Sequence, residues 1–150
     1  ILEILLGVEP RRDRSAEAVA RLAALDQTAA KKRDEQDAAR RLDTSPTIPL
    51  ADLAGTFYSS LYGNVSVAIE NDHLVLRMTP APNFVADLEH WHYNTFLIRW
   101  RDSVKYDFPR GFVNFTIDSK GRPHQLVIDQ PNDDFWFYEL ELFWKDEPSD

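Results

Sequence analysis

The spacing of apolar positions changes once along the chain, near residue 50. Upstream, Ala18, Leu22, Leu25 and Ala29 are four, three and four apart, which is one stripe of a helix. This predicts a helix over residues 13–41, with Asp13 or Ser15 able to cap its start. The stripe fades after Ala30, and "KKRDEQD" (31–37) has little to bury. Its i,i+4 pairs, Lys31 with Glu35 and Arg33 with Asp37, put base before acid, the weaker order against the helix dipole. "TSPTIP" (44–49) follows, and its two prolines predict a stop and a stiff linker.

Downstream, apolar residues alternate. Val65, Val67 and Ile69 share one face of a strand; so do Phe84, Ala86 and Leu88; Phe96, Ile98 and Trp100; and Val113, Phe115 and Ile117. "GTFYSS", "HLVLRM" and "HQLVID" read as further strands. "LYGN", Asn71-Asp72 and Lys120-Gly121 supply turns. "FWFYELELFW" (135–144) predicts a ten-residue closing strand. About eight short strands at this spacing predict an antiparallel barrel or sandwich behind an N-terminal helical segment.

Composition sharpens the division. All 18 aromatics lie from Phe57 onward. Residues 1–49 hold nine basic and nine acidic side chains, whereas 50–150 hold eight and sixteen, which gives the whole net charge of −8. Such a domain repels polyphosphates and anionic membrane surfaces, so neither is expected as a partner. The chain has no cysteine, which excludes disulfides and thiolate metal sites. No apolar run is long enough for a membrane helix. "ILEILL" (1–6) reads as the middle of an apolar helix, followed by the stop signals Gly7 and Pro10. The expectation is a C-terminal piece of a larger protein, with this apolar stretch able to pair two copies into a homodimer through their N-terminal helices.

Several stretches together resemble a known module. "PLADLAGTFYSSLYGNVSVAIENDHLVLRM", "LEHWHYNTFLIRW" and "VNFTIDSKGRPHQLVID" resemble the lipocalin-like domain appended to many class C β-lactamase-related serine hydrolases. The anchors are Ala54-Gly55-Thr56-Phe57-Tyr58, Tyr62-Gly63, Leu88-Glu89-His90-Trp91 with Thr95-Phe96, and Asp118 with Gly121. The resemblance implies a lipocalin-like barrel over 50–150 and a helical linker over 1–49 leading from a catalytic domain. It also implies a partner in that domain, and a periplasmic or extracellular location if the parent follows its family. Such parents use Ser-x-x-Lys, Tyr-x-Asn and a late His- or Lys-x-Gly. Here no serine has a lysine three residues on, and no His- or Lys-x-Gly occurs. Thr28-Ala29-Ala30-Lys31 has only the spacing, and Tyr62-Gly63-Asn64 falls in a predicted turn. A non-catalytic module without a cofactor is therefore expected.

Three candidate sites remain. On one extended strand His90 and His92 would face the same way and could share a metal, but no third ligand is evident. The alternative is a hairpin bend at Trp91–Asn94 whose imidazoles bond backbone groups. His90, Trp91, His92 and Tyr93 are then a candidate contact or ligand surface. Asp133-Asp134, after Pro131-Asn132, reads as a solvated turn. Phe135, Trp136, Phe137, Tyr138, Phe143 and Trp144 either fill the barrel or line a small-ligand pocket, the lipocalin-like alternative.

Overall fold

A computed structural model describes residues 13–102, 105 and 107–146. It divides into two compact units at Ala39/Arg40. The apolar stretch 1–6, and with it the expected homodimer contact, lies outside the described residues.

In the first unit, helix α1 spans Arg14–Ala39. Asp13 is the cap: its Oδ1 accepts the N–H of Ser15 at 3.1 Å and of Ala16 at 3.2 Å. None of the helix residues is buried, and Leu22 and Leu25 of the predicted stripe are exposed.

The second unit is a closed antiparallel barrel. Its strands run in sequence order: β1 (Gly55–Ser59), β2 (Gly63–Glu70), β3 (His73–Met78), β4 (Val85–His92), β5 (Thr95–Trp100), β6 (Phe112–Ile117), β7 (Pro123–Asp129) and β8 (Leu142–Trp144). Each strand pairs with the next, and β8 pairs with both β7 and β1, so the sheet has no free edge. Helix α2, Leu50–Leu53, precedes β1 and buries Leu53 in the core. The alternation seen in the sequence sets the inner face. Phe57, Val65, Val67, Ala86, Leu88, Phe96, Ile98, Val113, Phe115, Leu126 and Ile128 pack into one cluster.

Turn chemistry fixes the register. Asn71 and Asp72 have φ of 48° and 64°, the left-handed pair that joins two strands without splaying them. Between β6 and β7, Asp118 Oδ1 accepts the N–H groups of Lys120 at 2.8 Å and Arg122 at 2.9 Å, and Gly121 supplies φ 78°. Gly55 is dictated by packing instead. A Cβ there would overlap the Trp144 indole, which stands edge-on to Phe57 at 5.3 Å across the closing seam.

The last element departs from expectation. "FWFYELELFW" does not form ten residues of strand; only Leu142–Trp144 pairs. Residues Phe137–Glu139 make a 3₁₀ turn, with the Leu140 N–H donating to the Phe137 carbonyl at 3.1 Å. The cause is burial: Phe137, Leu140 and Leu142 all turn into the core, which an extended strand with period two cannot do for Phe137 and Leu140 together.

Candidate functional site

The β4–β5 bend holds the four residues singled out by the sequence. His90 pairs with Phe96 and His92 with Thr95, so Trp91 is the extra residue of a β-bulge. Tyr93 and Asn94 make the turn, Tyr93 with a φ of 47°. The bulge separates the two histidines' roles. The His90 ring lies edge-on to the core residue Phe96 at 5.4 Å, and its Nε2–H donates to the Tyr93 carbonyl at 2.9 Å. His92 Nδ1 instead accepts the Arg41 N–H at 3.1 Å, which requires that nitrogen to be unprotonated. Burial, then the Arg40 charge, holds His92 below the ordinary histidine range. Both rings are thus engaged with the backbone. Among the described residues no group of three or more His, Asp or Glu is placed to hold a metal ion.

Trp91 is not at the surface. It is 6% exposed, packed against Phe112 on the barrel's outer side with ring centroids 5.2 Å apart. The chain leading into the barrel covers it. The Arg40 guanidinium lies 4.4 Å from the indole centroid, and donates from Nε to the Trp91 carbonyl at 3.0 Å and from Nη2 to the His90 carbonyl at 3.1 Å. Farther along, Thr44 Oγ1 accepts the Tyr93 N–H at 3.0 Å. Asn94 Oδ1 accepts the Thr47 N–H at 2.9 Å, and its Nδ2 donates to Thr47 Oγ1 at 2.9 Å. The segment expected as a linker is therefore stitched to the bend from residue 40 to 47. Of the four candidates only Tyr93, 53% exposed, presents most of its side chain to solvent.

A second polar constellation, missed in the sequence, spans the outer faces of β2 to β5. Arg101 Nη2 donates to Glu70 Oε2 at 2.7 Å and to Asp87 Oδ1 at 2.9 Å; Arg77 also pairs with Glu70. His73 Nε2–H meets Asp87 Oδ1 at 2.7 Å, and its Nδ1 lies 3.2 Å from the Asn71 carbonyl. Acceptors at both ring nitrogens favour the imidazolium. The Asp87 hydrogen bond, then the Asn71 carbonyl, raises His73 above the ordinary range. Arg101, with His73, holds Asp87 below its own. The stability contributed by charged His73 is fully present below the unfolded pKa of about 6.5 and is lost as pH rises through the higher folded value. An NMR titration of His73 is expected to give a midpoint above about 6.5 that falls in Asp87→Asn, where the Arg101 charge is left to oppose protonation. An unchanged midpoint in that variant would show that the carboxylate does not set it.

The remaining candidates divide between core and rim. Phe137 is fully buried and packs within about van der Waals reach of Phe84, Trp100, Phe108 and Phe135, with ring centroids 4.7–6.5 Å apart. Phe57, Phe96 and Phe115 fill the space between facing strands. Among the described residues, these aromatic side chains pack against one another in the barrel interior. Trp136, Tyr138 and Phe143 face outward. Asp133 and Asp134 are exposed in a turn where Asn132 Oδ1 accepts the Asp134 N–H at 2.8 Å. Tyr62-Gly63-Asn64 is a hairpin corner, with Tyr62 edge-on to Phe135 at 5.7 Å.

Comparison with known proteins adds to these observations. The family model described as "Domain of unknown function (DUF3471)" matches residues 39–144, which is the stitched lead-in segment plus the barrel through β8. Among solved structures, the chain is similar to the C-terminal domain of penicillin binding protein Rv0907. The identity is 21%, the TM-score 0.52, and the match covers 71% of this chain and 93% of that one. At that identity the likeness concerns the fold. No curated protein matches the sequence.

Proposed function

Since the chain belongs to the DUF3471 family of domains of unknown function, we propose that its barrel is a non-catalytic accessory module. In this reading it stands C-terminal to the catalytic domain of a β-lactamase-related serine hydrolase and packs on it or modulates it. The observation that carries the reading is the lead-in segment. Arg40, Arg41, Thr44 and Thr47 bind the β4–β5 bend through backbone and side-chain hydrogen bonds. A chain arriving from upstream therefore joins the barrel at a fixed point beside the bend, which supports an appended module. Tyr93 and the outer edge of the bend with His90 and His92 are then the surface nearest the junction, with Trp91 as its buried support. The sequence motifs agree with a non-catalytic role, because neither Ser-x-x-Lys nor His- or Lys-x-Gly is present.

The test compares a full-length hydrolase carrying this module with the same enzyme ending before Arg40. The expected result is an altered kcat/KM or substrate range with the catalytic domain still folded. Unchanged folding, kinetics and substrate range would overturn the proposal.

A further inference from the structure

The exposed apolar side chains of the barrel unit are unevenly placed. Leu61, in the β1–β2 turn, is 79% exposed, and Trp136 and Tyr138, in the β7–β8 connection, are 57% and 67% exposed. The last two rings lie nearly parallel, 19° apart with centroids at 6.5 Å. Trp and Tyr left in solvent on an ordered connection resemble the residues that dominate interface energetics more than they resemble ordinary surface. Beside them is an open cleft of about 310 Å³, walled by Leu61, Phe135 and Trp136 and carrying the carboxylates of Asp133, Asp134 and Glu139.

These three carboxylates lie together on one cleft. Elsewhere on the barrel Glu70, Asp87, Glu89 and Asp118 each face an arginine. Asp133, Asp134 and Glu139 have no cationic partner among the described residues; Asp72 and Asp129, also without one, stand apart from the cleft. An aromatic wall with unneutralised carboxylates at its edge selects a cation, and selects arginine over lysine. A guanidinium stacks flat on an indole while its N–H fork reaches a carboxylate, and it is less strongly hydrated than an ammonium. Leu61 and Tyr138 extend apolar surface past the cleft, so the arginine is flanked by apolar residues rather than being a free small cation. We propose that this cleft is a docking site for a polypeptide segment that presents an arginine between apolar side chains. This site is separate from the bend, and its test does not depend on the accessory reading.

The test uses this chain and a fluorescent peptide of alternating leucine and arginine, with a leucine–glutamine peptide as the uncharged control. The expected Kd for the arginine peptide is below about 100 μM, and that for the glutamine peptide at least about tenfold weaker. Trp136→Ala and, separately, Asp133→Asn with Asp134→Asn are each expected to weaken arginine-peptide binding about fivefold or more. The two aspartates are exposed, so the second variant tests the site even if the first perturbs the fold. Asp26→Asn with Asp72→Asn removes as much charge elsewhere and is expected to leave binding unchanged. Equal binding of the glutamine peptide, no binding near 1 mM, or an equal loss in the Asp26/Asp72 variant would overturn the proposal.

Discussion

Phe115→Ala is expected to destabilise the barrel by about 3–5 kcal/mol, the range for emptying a large aromatic from a closed core. Phe115 is fully buried and lies between Phe57 and Phe96, with ring centroids 5.9 and 5.5 Å away. Both contacts are tilted or edge-on, so the loss includes aromatic pairing as well as apolar area. Phe57 on β1 meets Phe115 across the interior, Phe96 lies on β5, the strand paired with β6, and a closed, densely packed barrel has little freedom to collapse into the space. Against a total stability of about 5–15 kcal/mol this removes about a fifth or more. Thermal denaturation should show it as a fall in Tm of the order of 10–20 °C. A fall of only about 4 °C would place the centre of the core elsewhere.

Arg40→Ala is expected to cost about 2–3 kcal/mol, a large effect for a residue outside the core. The guanidinium satisfies the carbonyls of His90 and Trp91 and covers the Trp91 indole at 4.4 Å. Hydrogen bonds from a charged donor contribute about 1.5–3 kcal/mol. Cation–π contact adds about 0.5–2 kcal/mol, and the partly buried setting keeps the total below their sum. Arg40→Lys keeps the charge but not the planar fork, and should recover no more than about half. Urea unfolding of the two variants checks this. The Trp91 ring should also become more accessible to quenchers in Arg40→Ala. A loss below about 0.5 kcal/mol would mean that the lead-in segment merely lies on the bend, as surface contacts commonly do.

The barrel was largely legible because β2, β4 and β6 each bury one face and alternate accordingly. Two regions resisted for different reasons. In "FWFYELELFW" nearly every position is apolar or follows an apolar one, so period two is satisfied without a strand being present; burial of Phe137 and Leu140 selected a turn instead. The lead-in segment carries the opposite difficulty. Its contacts are made by Arg40, the Arg41 N–H, Thr44 and Thr47, polar groups whose partners are remote in sequence, and no hydrophobic pattern announces them. The outer ionic lattice was missed for a similar cause. Glu70, His73, Arg77, Asp87 and Arg101 meet only after four strands are in register. At the bend, the residues that marked the site were visible but their faces were not, since one bulge residue inverts what alternation implies.

The short final strand has a bearing on how the domain is made. β1 ends at Ser59, yet one of its two neighbours is β8, Leu142–Trp144, and they share only the pairs Phe57↔Trp144 and Tyr58↔Phe143. During synthesis seven strands emerge in order, each able to pair at once with its predecessor, while one flank of β1 and one flank of β7 stay bare until residue 144 has left the ribosome. For that interval the nascent chain is an open sheet with two sticky borders. Three residues then seal both of them, the β7 flank by near contacts and the β1 flank by the most sequence-distant strand pairing in the barrel, the slowest kind to form.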